Sequence, residues 1–141
     1  MTLHATDVGY GQTTAGTDAR SPEIFIPLAA RDADADFWEW DYGYTPDPVR
    51  PDKKDRKVVL RLGADSVDAT FYNWPDKHDF RIRTEALRRA ATVGDILRLE
   101  RAGRPYDYYA EIVPQGTTMH ATYLALCVNA VRYSDKRWGY Y

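Results

Sequence analysis

The chain has 141 residues, a length that fits one domain with its own core. Its one cysteine, Cys127, excludes an intramolecular disulfide and a cysteine-based zinc site, and we expect it to be buried. No apolar run reaches the roughly 18 residues of a membrane span, and residues 1–10 do not resemble a signal peptide, so the sequence predicts a cytoplasmic protein.

The formal net charge is −2, but the charges are unevenly distributed. Residues 1–48 contain two basic and nine acidic residues, whereas residues 49–104 contain fourteen basic and nine acidic ones. A nucleic-acid-binding domain needs a basic face rather than a basic total. The middle of the chain can supply such a face, although an ordinary solvated surface fits its composition equally well.

The first third of the chain predicts one strand between irregular segments. Residues 1–22 are polar and rich in glycine and threonine, which is typical of a loop or an arm. Residues 23–28 predict a short strand, and Pro27 indicates a sheet edge or a strand end. Residues 29–56 contain aspartates and three prolines, and predict a long connection with a short strand near residues 37–40.

The middle of the chain predicts antiparallel strands. Apolar and polar residues alternate over 57–62 and 67–72, with a turn between them, which indicates a hairpin with one solvated face. Residues 73–76 interrupt the pattern, and residues 80–83 are extended again. Thr84 then has the character of an N-cap for a short helix over 85–91.

Turns at Gly94 and Gly103 predict two further strands, at residues 96–101 and 106–113. Residues 114–141 predict a helix and a tail. The spacing of four apolar residues fits one helical face, and alternation in the same region also fits a strand; the four are Leu124, Cys127, Val128 and Val131. Short strands with one or two brief helices favour a single, mainly β domain built as an antiparallel barrel.

The residues do not form a recognisable catalytic pattern. Pro46-Asp47 precedes Asp52-Lys53-Lys54, but this gap is too short to place both carboxylates on adjacent strands around one metal ion. None of the three histidines has a lysine two positions later, as a phospholipase-D-type nuclease requires. A glycine-rich phosphate loop is also missing from the sequence. We therefore predict no catalytic residue, no metal ligand and no cofactor.

Two segments resemble the B3-type DNA-binding pseudobarrel. One is Gly9-Tyr10-Gly11-Gln12, with Gly16, leading into Pro22-Glu23-Ile24-Phe25-Ile26-Pro27-Leu28. The other is Asn73-Trp74-Pro75-Asp76-Lys77-His78-Asp79-Phe80-Arg81-Ile82-Arg83, followed by Leu87-Arg88 and Val93-Gly94-Asp95-Ile96-Leu97. They are similar to the glycine-rich first arm, and to the second arm with its short helix, in the C-terminal domain of type II restriction endonucleases that carry a phospholipase-D-like nuclease domain.

This resemblance implies a seven-stranded open pseudobarrel in which residues 23–113 form the core. Two arms, residues 1–22 and 73–83, would grip the major groove of double-stranded DNA. It also implies a monomeric, non-catalytic domain of a larger enzyme, covalently linked to the nuclease domain. The first arm departs from the family because Arg20 is the only basic residue in 13–21.

The second arm contains the strongest site candidates. In an extended 80–83 segment, Phe80 and Ile82 face the core, while Arg81 and Arg83 point outward together. One arginine can bind guanine bidentately and the other a phosphate. The preceding residues Lys77, His78 and Asp79 are further candidates, and Asp79 either accepts from a cytosine amino group or, as we favour, braces an arginine.

The remaining candidates are weaker. In the first arm they are Gln12, Thr13, Arg20 and Ser21, of which Gln12 can pair with adenine. The predicted phosphate contacts are Lys53, Lys54 and Arg88. Two other functions remain open: a carbohydrate-binding β-domain with an aromatic platform, and a small metal-dependent nuclease. The platform would consist of Trp38, Trp40, Tyr42 and Tyr44.

Overall fold

The computed structural model describes residues 1–10 and 22–141, apart from the side chain of Lys77. Seven strands form one open, curled sheet, and two more form a small hairpin. The strands are β1 (Glu23–Ile26), β2 (Thr45–Pro46), β3 (Lys54–Leu62), β4 (Asp65–Trp74), β5 (Asp79–Arg83), β6 (Ile96–Arg101), β7 (Tyr108–Val113), β8 (Asn129–Ala130) and β9 (Arg137–Trp138). With 36% strand and 21% helix, the predicted mainly β class and its seven-stranded half-barrel are confirmed.

The sheet has the strand order β1-β5-β4-β3-β7-β6, and β2 pairs with the start of β3. Neighbouring strands are antiparallel, except for β3 and β7, which are parallel. β1 stands at one end of this order, so the edge position indicated by Pro27 is confirmed. The predicted strands at 80–83 and 96–101 are also confirmed, as β5 and β6.

β3 and β4 form the hairpin that alternating apolar residues predicted. Val58 and Leu60 of β3 and Phe71 of β4 are buried on the inner face. Burying each such side chain stabilises the fold by roughly 1.5–3 kcal/mol. Gly63 makes the turn with φ +61°, a left-handed conformation that costs glycine little. The inner face of the hairpin therefore becomes part of the core.

The described residues contain four short α-helices, more than the one or two predicted: α1 (Leu28–Ala33), α2 (Ala35–Trp38), α3 (Glu85–Ala90) and α4 (Thr118–Leu126). The strand expected near 37–40 is wrong. The Asp34 carboxylate caps α2 by accepting a hydrogen bond from the Phe37 amide at 2.9 Å. α2 places Trp38 in the core, 5.6 Å from the Phe71 ring. In the described part of the chain, no helix has the length and apolar character to cross a membrane.

Both ends of the chain pack against the sheet. Leu3 is buried, and the Thr2 amide donates to the Arg137 carbonyl at 2.9 Å, so residues 1–10 do not project as an arm. The helix predicted after Met119 exists as α4, but its expected apolar face is wrong. α4 ends at Leu126, which leaves Val128 beyond the helix and 72% exposed, whereas Cys127 is buried as expected.

Candidate functional site

The outer face of the sheet carries rows of side chains across four strands. One row contains Lys57 of β3, Thr70 of β4, Arg83 of β5 and Glu23 of β1, which are consecutive partners in the strand register. Strands lie about 4.8 Å apart, so the Cα atoms of Lys57 and Arg83 are roughly 10 Å apart. The Lys57 ammonium also donates to the Thr70 hydroxyl at 3.0 Å. This row offers two cations and a hydroxyl on one rigid surface.

Arg81 lies in the neighbouring row, two residues before Arg83 on β5, and its side chain is held by contacts with other residues of the protein. Its guanidinium donates to the carboxylates of both Glu23 and Asp79, and stacks 4.3 Å from the centre of the Phe25 ring. Its side chain is only 14% exposed. Burial lowers the pKa of Arg81, but the hydrogen bonds to Asp79 and then Glu23 raise it more, so it stays charged. Asp79 thus braces Arg81, as favoured from the sequence.

Arg83 is the more accessible of the two arginines. Its side chain is 56% exposed, and its Nε lies 3.7 Å from Glu23 Oε1. Phe80 and Ile82, which alternate with the two arginines along β5, are fully buried. The predicted alternation of buried and outward side chains along β5 is therefore confirmed. Tyr72 was expected on the solvated face but is buried beside Arg81, and its ring centre lies 5.9 Å from that guanidinium.

The predicted second arm, residues 73–83, consists of the end of β4, a tight connection and β5. Trp74 of β4 pairs directly with Asp79 of β5, which leaves four residues between the strands. A single 3-10 turn, Pro75–Lys77, is followed by His78, which is exposed and has a left-handed φ of 49°. His78 is therefore presented at the tip of the connection, while Asp79 belongs to the sheet.

The first-arm candidates Gln12, Thr13, Arg20 and Ser21 lie outside the described residues. The two ends of that segment are described, and both lie near α3. Gly9 packs against Arg88, because a Cβ at Gly9 would lie 2.6 Å from Arg88 Nη1. The Pro22 carbonyl accepts from the Thr84 amide at 3.0 Å. Gly9 and Pro22, which lie on either side of this segment in the sequence, are therefore both near the Arg83 end of β5.

The three predicted phosphate contacts all have carboxylate partners. Lys53 lies 3.6 Å from Asp55, Lys54 donates to Asp41, and Arg88 Nε donates to Glu85 at 3.0 Å. They can still contact a phosphate, but each would share its charge with a protein carboxylate. Lys53 and Lys54 lie near the β4–β5 connection, whereas Arg88 lies near the first arm, so the three do not form one patch.

No model of a known protein family matches the chain, and no curated protein matches it.

The aromatic platform considered for sugar binding does not form. Trp38 and Tyr44 are buried, and the ring of the partly buried Trp40 stacks against the Arg31 guanidinium at 4.3 Å. Only Tyr42 of this set is largely exposed, at 72%. Among the described residues, no group of three or more histidines, cysteines or carboxylates is placed to hold a metal ion. Asp47, from the considered nuclease pattern, instead accepts hydrogen bonds from the Val49 and Arg50 amides.

Sequence reasoning missed three residues of the outer face, Lys57, Thr70 and Glu23, and also Arg50 in the loop before β3. The signal for Lys57 was its alternation with Val58, which places its side chain on the solvated face of the strand. The signal for Glu23 was its position at the start of a predicted strand, next to the apolar Ile24. What alternation cannot supply is the strand order that brings Glu23 beside Arg83.

Proposed function

We propose that this chain binds double-stranded DNA sequence-specifically, as the non-catalytic target-recognition domain of a type II restriction endonuclease in the cytoplasm. The nuclease activity would reside in a separate, covalently linked domain. The enzyme class rests on the resemblance of residues 9–28 and 73–83 to B3-type recognition domains, and the binding mode rests on the geometry of β5.

The observation that carries the proposal is the position of β5 between the β4–β5 connection and Pro22, which follows the first-arm candidates in the sequence. The Pro22 carbonyl is bonded to Thr84, next to Arg83, and the β4–β5 connection ends at Asp79. At about 3.4 Å per residue, these two positions are roughly 14 Å apart. The major groove of B-DNA is about 12 Å wide. A groove can therefore lie over the outer face of β5, with the β4–β5 connection at one side and Pro22 at the other.

The two arginines would have different roles in this arrangement. Arg83, being more than half exposed, can reach a guanine edge or a phosphate. Arg81 is paired with the carboxylates of Glu23 and Asp79, so it links β1 to β5 beneath the proposed contact surface rather than extending into the groove. Lys57 in the row of Arg83 and Arg88 beside Gly9 would add phosphate contacts that carry no sequence information.

Selection of bound sequences from random duplex DNA tests this function directly. We expect enrichment of one short site, with affinity that falls by a log–log slope of about −0.9 per phosphate contact as salt rises. Arg83→Ala should lose about 1–3 kcal/mol on the enriched site if Arg83 reads a base. Arg132→Ala, which removes an exposed arginine between β8 and β9, is the matched control and should leave affinity unchanged.

The outcomes separate the parts of the proposal. An equal loss on all sequences would assign Arg83 to a phosphate instead of a base. Absence of any enriched sequence, in a protein shown to be folded, would refute sequence-specific DNA binding. Binding to soluble glycans that does not change with salt would support a sugar-binding domain instead.

A further inference from the structure

A second loop lies beside the β4–β5 connection. Residues 47–53 lead into β3, and Lys54 at the start of β3 pairs with Asn73 near the end of β4. The loop of residues 47–53 and the connection of residues 75–78 are therefore at the same end of the sheet. We call these two segments together the double tip.

Arg50 joins the two halves of the double tip. Its guanidinium forms an ion pair with the Asp76 carboxylate and lies 4.8 Å from the centre of the Trp74 ring. The Lys53 ammonium lies 5.5 Å from the same ring. Arg50 and Trp74 thus link the 47–53 loop to the connection of residues 75–78.

The 47–53 loop also has its own internal scaffold. Asp47 Oδ1 accepts hydrogen bonds from the amides of Val49 and Arg50 at 2.8 and 2.9 Å, and these bonds hold the pKa of Asp47 below its usual range. The Asp47 amide donates to the Lys53 carbonyl at 2.8 Å, and the Lys53 amide donates to the Arg50 carbonyl at 2.9 Å. These four hydrogen bonds stabilise the loop in this conformation.

This scaffold presents an apolar side chain to solvent. Val49 is 88% exposed at the apex, next to Arg50, whose side chain is 42% exposed. An isolated exposed valine is ordinary on protein surfaces. Here it is held in a fixed position beside a cation, on the same end of the sheet as His78. The thymine C5 methyl group is the apolar feature that the major groove displays, and short apolar side chains contact it.

We propose that Val49 contacts a thymine methyl group in the major groove, while Arg50 contacts the neighbouring phosphate. The double tip would then read at least one A·T pair at the edge of the recognition site. This inference rests on the proposed DNA-binding function and adds a base preference to it. It also assigns the second contact region to two loops, residues 47–53 and 75–78, whereas the second arm predicted from the sequence contained only the latter.

Replacement of thymine by deoxyuracil tests the contact, because it removes only the methyl group. Each thymine of the selected site is replaced in turn, and the Kd is measured for the unmodified protein and for Val49→Ala. We expect one replacement to weaken binding about fourfold in the unmodified protein, the value for one buried methyl-sized group. The same replacement should have no effect on Val49→Ala. Val128→Ala, which shortens a similarly exposed valine beside β8, should behave like the unmodified protein.

The results distinguish the inference from the function on which it rests. If no duplex sequence is enriched, the proposed function fails and the thymine contact fails with it. If a site is enriched but contains no thymine, the contact alone is refuted. The contact is also refuted if deoxyuracil weakens binding equally in the unmodified protein and in Val49→Ala.

Discussion

In the described part of the chain, a buried ion pair rather than a further strand covers the outer edge of β1. The Asp7 carboxylate accepts from the Phe25 amide at 2.9 Å, and the Lys136 ammonium donates to the Phe25 carbonyl at 2.6 Å. The ammonium lies 2.7 Å from Asp7 Oδ2, which also accepts from the His4 amide at 2.7 Å. Replacing Lys136 by methionine keeps a side chain of similar length but leaves the buried Asp7 carboxylate without its counter-charge.

The expected cost follows from the burial of both groups. The Asp7 side chain is fully buried and that of Lys136 nearly so. Removing one partner of a buried pair costs about 3–5 kcal/mol, out of the roughly 5–15 kcal/mol that stabilise a typical domain. Burial lowers the pKa of Lys136 although Asp7 opposes this shift, so the ammonium depends on Asp7 for its place in the fold.

Urea unfolding of four proteins measures the effect: the unmodified protein, Lys136→Met, Asp7→Asn and the double variant. Because the two charges stabilise each other, the double variant should be less destabilised than the sum of the single variants, by about 0.5–3 kcal/mol. Lys57→Met, at an exposed lysine, serves as the control and should change stability by no more than about 0.5 kcal/mol. The reasoning is refuted if Lys136→Met unfolds at the same urea concentration as Lys57→Met, or if the single effects simply add.

Three further variants test what stabilises the fold. Gly9→Ala should destabilise the fold by about 1–2 kcal/mol in urea unfolding, because φ at Gly9 is +97° and the new Cβ would collide with Arg88. Burial raises the pKa of Asp95, but hydrogen bonds from Thr92 and then Gln115 lower it further than burial raises it, so the pKa of Asp95 lies below its usual range. Asp95 therefore stabilises the fold above about pH 4 and loses this contribution as pH falls through its folded pKa, so Asp95→Asn should flatten the stability–pH curve in that acid range. Phe71→Ala should cost about 3–5 kcal/mol and lower the Tm.

The long strands could be predicted from the sequence because their signal is local. Alternation over 57–62 and 80–83 places every second side chain on one face, and the sheet buries that face. α1 and α2 gave no such signal. Helices of six and four residues are too short to show a helical period, and the burial of Trp38 against distant strands stabilises them.

For the candidate site, too, only the features with a local signal could be predicted from the sequence. Alternation correctly placed Arg81 and Arg83 outward, but it could not show that Arg81 is bound by Glu23, which is 58 residues away in sequence. The pairing of Arg50 with Asp76 spans 26 residues and likewise depends on the strand order. Contacts of this kind depend on which strands become neighbours, and a single sequence gives little information about that choice.

Residues 137–140 pack against the N-terminal segment and against α1. Trp138 is buried in the core, and the Tyr140 hydroxyl donates to the Ala30 carbonyl at 2.7 Å. During synthesis these contacts form only after residues 137–140 have been made, so the part of the core that Trp138 covers stays open to solvent until then. Deletion of residues 136–141 should consequently produce a protein that aggregates, whereas a tag attached after Tyr141, whose side chain is exposed, should be tolerated.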